Sequence, residues 1–351
     1  MNATAFAHPF LSGLFGEDEI SEHLGAEADI RAMLTFEAAL AHVQAEADMV
    51  PQTAAHSIVA TCKNFWPDMG QLKAGVAADG VVVANLVKQL RAALPSEVAG
   101  HLHYGATSQD VIDTSLMLRL KSIFPILIRR LQSVIEHLAK LNEAHGSRSL
   151  MGYTRMQAAI PITVGDRVSA WQAPLERSLQ RSIEMLKAGF PVQFGGAAGS
   201  LDKFGAQGQA LRAALAAELG LVDWPQWQSQ RDLIVDLSNL LSLITGSLGK
   251  FGQDIALMAE IGGEIAMSGG GASSAMAHKQ NPVTAEILVT LARFNAVQVS
   301  GMHHSLVHEQ ERSGAAWSLE WLILPQMLLA TGASLLQANK LACSITSLGR
   351  D

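Results

Sequence analysis

RDLIVDLSNLLSLITGSLGKFGQDIALMAEI, residues 231–261, decides the fold class. Its apolar residues Leu233, Leu237, Leu240, Leu241, Ile244, Leu248, Phe251, Ile255 and Met258 recur at steps of three and four, the period of a helix and not the alternation of a strand. A helix of about 30 residues spans roughly 45 Å. The pattern is apolar on more than one face, so the helix needs cover from several neighbours.

The same recurrence runs through residues 111–144, 163–188, 283–311 and 319–347, in a chain rich in the good helix formers Ala, Leu, Gln and Met. Prolines at 9, 51, 67, 95, 125, 161, 174, 191, 225, 282 and 325 leave the intervals 226–281 and 283–324 uninterrupted, and those intervals hold very long helices. Strand signals are nearly absent. Long helices with short links predict an all-α bundle, with no internal repeat and no low-complexity linker.

Of the 351 residues, 49% are hydrophobic and 16% charged, well below the roughly 25% charged of an average soluble domain. Disorder is excluded by that balance, and the small charged fraction predicts burial in an oligomer. The formal net charge of -7, from 25 Lys plus Arg against 32 Asp plus Glu, gives no basic footprint for nucleic acid. Cys62 and Cys343 stand far apart, which predicts neither a disulfide framework nor a zinc site. The first ten residues carry no basic or apolar leader pattern, and no run approaches the roughly 18 uncharged apolar residues of a membrane span. The expectation is a cytoplasmic protein without a membrane or nucleic-acid partner.

Three Gly- and Ser-rich interruptions, residues 101–110, 194–205 and 262–282, stand out of the helical background, and chemistry in a bundle gathers at such breaks. In HLHYGATSQDVIDT, Thr107 or Ser108 reads as the N-cap of the helix that follows. The same helix terminus carries partial positive charge and can receive a substrate carboxylate. In MGYTRMQAAIPITVGDR, Thr154, Arg155 and Gln157 crowd before Pro161, which reads as turn chemistry ahead of a Pro-initiated helix.

SGGGASSAMAHKQNPVTAE is the most informative segment. Its glycines supply backbone freedom for a loop that closes over an anion, with Ser273, Ser274 and Lys279 as donors and Asn281-Pro282 as N-cap and first residue of a helix. HEQERSGAAWSLEW places Glu309 and Arg312 at i, i+3, a spacing that suits a surface ion pair. No Gly-x-Gly-x-x-Gly, Walker loop, His-Glu-x-x-His or Gly-x-Ser-x-Gly is present, and His101 and His103 lack a partner at metal-ligand spacing.

GASSAMAHKQNPVTAE closely resembles the signature Gly-Ser-Ser-x-Met-Pro-x-Lys-x-Asn-Pro of the fumarase/aspartase superfamily, and HYGATSQDVIDT and GYTRMQAAIPITVG resemble its other two regions in the expected order. The resemblance spans essentially the whole chain. HYGATSQD, GGAAGSLDKFG and HEQERSGAAWSLEW look most like the cycloisomerase branch, the lactonizing enzymes of aromatic-acid breakdown, with fumarate-releasing lyases such as adenylosuccinate lyase as the rival reading. Ala272 and Ala277 depart from the usual Gly and Pro, and Arg155 stands where most lyases of the family place a catalytic His. An arginine does not shuttle protons near neutral pH, which argues against the His-dependent lyases.

The resemblance implies an N-terminal helical domain (1–103), a central long-helix bundle (104–345) and a short tail (346–351) where relatives carry a C-terminal domain, here reduced or absent. It implies a homotetramer with a 20-helix core, whose active sites draw the three regions from different chains. It implies a small polycarboxylate substrate, no cofactor and no metal. Ser273 or Ser274 would move the proton, Lys279 would stabilise the developing charge, and Arg155 would pair with Glu286, which aligns with the Glu closing the signature. His103, Thr107, Ser108, Gln157, Asn281 and Arg312 would bind substrate carboxylates.

Overall fold

The computed structural model describes residues 4–272, 276 and 280–350. Seven helices form the N-terminal part: α1 (Ser12–Phe15), α2 (Asp18–Leu24), α3 (Ala26–Glu46), α4 (Gln52–Asn64), α5 (Met69–Asp79), α6 (Val83–Ala92) and α7 (Ser96–Ala99). Then come α8 (Ser108–His145), the hairpin β1 (Ser149–Thr154) and β2 (Gln157–Thr163), α9 (Val164–Ala188), α10 (Gly208–Leu219) and α11 (Asp232–Ile261). The short strands β3 (Ile265–Met267), β4 (Gly271–Ala272) and β5 (Gln280–Asn281) lead into α12 (Val283–His304), α13 (Gly314–Ser344) and β6 (Ile345–Leu348).

The long helices form the bundle the periodicity predicts: α11 lies along α12, α13 and α9, and α8 lies along α9, α13 and α3. Residues Leu237, Leu241, Ile244, Leu248, Phe251 and Ile255 of the opening stretch are all buried. Trp171 of α9 packs on Phe251 with ring centroids 5.0 Å apart, and its Nε1 donates to Asp254 Oδ2 at 2.8 Å. One apolar core runs through both the N-terminal helices and the bundle.

Pro125, Pro174 and Pro325 lie inside α8, α9 and α13, as the periodic stretches 111–144, 163–188 and 319–347 require; a proline removes one hydrogen bond, a loss that a long packed helix absorbs. Several boundaries differ from the sequence reading. Helix α12 stops at His304, where the Ser305 hydroxyl donates to Met302 O at 2.7 Å, and α13 starts early because Ser313 caps it by accepting from Ala316 N. Pro161 does not start a helix: it lies in β2 opposite Met151, and α9 begins at Val164 under a Thr163–Asp166 capping box. Asn281 is likewise not an N-cap; it pairs with Gly271 across β4 and β5, and Pro282 holds the cap position of α12.

Three two-stranded sheets stand where strand signals were nearly absent. Helices α11 and α13 are long and apolar enough by composition to cross a membrane, which corrects the expectation of no such run; 56% and 61% of their apolar windows are buried inside the chain, as in core helices of a bundle.

Candidate active site

The N-terminus of α8 is built by Thr107 and Asp110. Thr107 is the N-cap of a capping box, and its backbone N–H donates to Asp110 Oδ2 at 3.0 Å. Asp110 is fully buried and also accepts from Gln193 Nε2 (3.2 Å), Gly195 N (2.9 Å) and Gly196 N (3.0 Å). Burial pushes its carboxyl up to about 6, against the pull of those donors. One side chain thereby fastens the 194–205 interruption onto the start of α8, which leaves Thr107 and Ser108 at a positive helix end.

His103 precedes this cap in a left-handed conformation (φ 61°), with Nδ1 2.6 Å from Glu37 Oε1. Burial pulls the imidazole down, but the charge and hydrogen bond of Glu37 outweigh it and hold His103 above its ordinary value. Gly105, at φ 73°, has no room for a side chain: a Cβ there would meet Phe204 at 2.2 Å.

Arg312 reaches the same place from the turn before α13. Its Nε donates to Gln109 Oε1 at 2.9 Å, and its Nη2 to Gly196 O (3.4 Å) and Ala197 O (3.2 Å). Its expected ion pair with Glu309 does not form; Glu309 instead lies under the Ser313 hydroxyl, which holds its carboxylate below the usual range. Beneath Gln109 lies a buried charge cluster of which the sequence reading had only Trp317 and Glu320, within HEQERSGAAWSLEW, and missed Arg231 and Asp113. Arg231 binds Asp113 (2.7 and 3.2 Å) and Glu320 (2.8 and 2.5 Å) in two forked pairs, and Trp317 Nε1 donates to Asp113 Oδ1 at 3.0 Å. The available signal was Glu320, an acidic residue among the apolar residues of α13, and Asp113, set between the apolar residues of the first turns of α8.

Arg155 lies at the far end of α8. With Met156 it forms the two-residue turn of the β1–β2 hairpin, both at left-handed φ (48° and 65°), and Gln157 pairs with Thr154 beside it. The hairpin borders a groove of about 760 Å³ against α11, lined by Arg155, Arg167, Lys250, Asp254, Glu260 and Glu264. Asn281 and Glu286 share a neighbouring cavity of about 370 Å³ with Gln253, Leu257 and Glu260. The α11 residues Gln253, Leu257 and Glu260 border both spaces, so α11 stands between Arg155 and Glu286, and among the described residues no ion pair joins them within one chain. Ser273, Ser274 and Lys279 lie outside the described residues; β4 and β5 flank them.

The predicted residues therefore form two groups: His103, Thr107, Ser108 and Arg312 at the start of α8, and Arg155, Gln157, Asn281 and Glu286 beyond its end. Helix α8 has 38 residues and separates the groups by roughly 57 Å at the α-helical rise. A single chain does not close one site from them.

The chain matches the model of a family described as lyase over residues 7–301. It is similar to 3-carboxy-cis,cis-muconate cycloisomerase of Pseudomonas aeruginosa, 39% identical over 88% of this chain and 69% of that protein. It is also similar to trans-aconitate decarboxylase 1 of Mycosarcoma maydis, 32% identical over 94% of this chain and 68% of the relative. Among solved structures it is similar to the 3-carboxy-cis,cis-muconate lactonizing enzyme of Pseudomonas putida, with a TM-score of 0.89 at 33% identity over 96% of this chain and 77% of the other.

Proposed function

This chain belongs to the lyase family, and from that premise we propose that it is a cofactor-independent, cytoplasmic cycloisomerase that converts 3-carboxy-cis,cis-muconate to 4-carboxymuconolactone. The observation that carries the reading is its 39% identity to a cycloisomerase of that name along most of the chain. The relative that acts on trans-aconitate supports the same substrate class, a small unsaturated tricarboxylate.

In the proposed reaction one carboxylate oxygen adds to the conjugated double bond, forming a C–O bond. The π electrons move into a second carboxylate as an aci-carboxylate dianion, and a proton then joins the carbon alpha to it. The developing charge needs donors already in place. Thr107, Ser108 and the α8 terminus supply such donors, and Arg312 presents a guanidinium fixed at three points. Lys279, Asn281, His103 and Gln157 complete the proposed set, and Ser273 or Ser274 delivers the proton. Arg155 serves as a fixed cation rather than a proton carrier, and Glu286 stands near Asn281 as the acidic member of the third region.

The two groups of residues meet when several chains assemble, in the proposed homotetramer with a 20-helix core. Leu243 of α11, Val297 of α12, and Leu322 and Leu336 of α13 are exposed apolar residues on the helices that would form it.

The test is ultraviolet loss of the conjugated diene on mixing chelator-treated protein with 3-carboxy-cis,cis-muconate, alongside Ser273→Ala and Ser274→Ala. Rapid loss abolished by one substitution is the expected result and identifies the proton carrier. No diene loss, with fumarate released from adenylosuccinate instead, would replace the reading with that of a fumarate-releasing lyase.

A further inference from the structure

Arg312 uses only part of its guanidinium on the protein. Nε and Nη2 are engaged by Gln109 Oε1 and by the carbonyls of Gly196 and Ala197, whereas Nη1 makes no hydrogen bond to the described residues of the chain. Its direction depends on whichever group holds the Nε side.

That group is Gln109, whose side-chain amide has one permitted orientation. It is completely buried. Its Nε2 donates to Asp113 Oδ2 at 3.1 Å and to Gln228 O at 2.8 Å, so both of its N–H groups are used and its oxygen faces Arg312. Turning the amide over would set an NH2 against a cation and an oxygen against two acceptors. Asp113 is itself immobilised by the forked pair with Arg231 and by Trp317. Rigidity thus passes from a buried ion cluster through one amide to a guanidinium at the helix end.

We propose that Gln109 is a positioning residue that orients Arg312 so that its free Nη1 grips a substrate carboxylate beside Thr107 and Ser108. The proposal rests on the polycarboxylate reading above and deepens it. Gln109 touches no substrate; it acts through Arg312 alone, so its effect vanishes when Arg312 is gone.

The test is a double-mutant cycle on the full-length protein with Gln109→Met, Arg312→Met and the double variant. Two readouts are taken: KM and kcat for 3-carboxy-cis,cis-muconate, and the Kd of tricarballylate, a saturated tricarboxylate, by calorimetry. Gln109→Met is expected to raise KM and Kd about tenfold, the scale of one misplaced charge-assisted hydrogen bond, with a smaller effect on kcat. The double variant should bind no worse than Arg312→Met. Additive losses in the double variant, or unaltered KM and Kd in a folded Gln109→Met protein, would overturn the proposal. Should Gln109→Met fail to fold, Gln109→Asn keeps a buried amide but withdraws its oxygen by one methylene, and the same cycle with Arg312→Met decides. A protein that binds tricarballylate with this coupling yet leaves the muconate untouched would refute the cycloisomerase reading alone.

Discussion

Glu37 and His103 show how a buried pair sets up a pH response. The Glu37 side chain is 1% exposed and His103 lies against it, so protonated His103 neutralises a carboxylate that water does not reach. Its folded value lies above the ordinary 6.5. The pair's stabilisation is therefore complete below pH 6.5 and is lost as pH rises through the elevated value. Melting temperatures across pH 5 to 9 are expected to show this loss in the native protein and a flatter curve in Glu37→Gln. Equal slopes in the two proteins would assign the dependence elsewhere. At this scale the sequence was half legible. Thr107 was legible from the residues, because a hydroxyl at a helix start has recognisable chemistry, whereas Arg312 read as a surface ion pair and was nominated only through the family resemblance. Gln109 and Asp110, which connect them, were not nominated, since Gln109 and Arg312 stand 203 residues apart and meet only through the fold.

Among the elements, the β1–β2 hairpin carries an avoidable cost. Two-residue hairpin turns favour Asn-Gly or Gly-Gly because both positions are left-handed, yet here they are Arg155 and Met156. Arg155 has a proposed role as a fixed cation; Met156 is 75% exposed and has none assigned. Met156→Gly is expected to raise stability by roughly 1 kcal/mol by relieving the left-handed backbone, read as a higher midpoint in chemical denaturation, and a lower midpoint would count against strain at the turn. The helices were legible because a period of three and four repeats often enough in α11 to be unmistakable. The strands were not, because each has only two to seven residues and exists through pairing with a partner segment, as Ile265 does with Leu348.

For the molecule as a whole, the length of α8 matters most. With the start of α8 and the β1–β2 turn roughly 57 Å apart, variants damaged at opposite ends should complement each other in mixed assemblies. Arg312→Met and Arg155→Met are each expected to be strongly impaired. Co-refolding them should restore measurable turnover, with light scattering showing four chains of 37.4 kDa. Lack of recovery in mixed tetramers would mean that each site is built from one chain.

The small sheet at the far end of α8 also bears on biosynthesis. Strand β6 pairs with β3, the strand that leads toward the signature segment, and Arg350 bridges to Ser149 at the base of the β1–β2 hairpin. Both arms of that end therefore wait for residues 345–350, and closing a loop from 149 to 350 is among the late, entropically demanding steps of folding. The end of the molecule that carries Arg155 gains this anchor only once residues 345–350 have been made, so a chain interrupted before them leaves β3 and the base of the hairpin without their pairing partners.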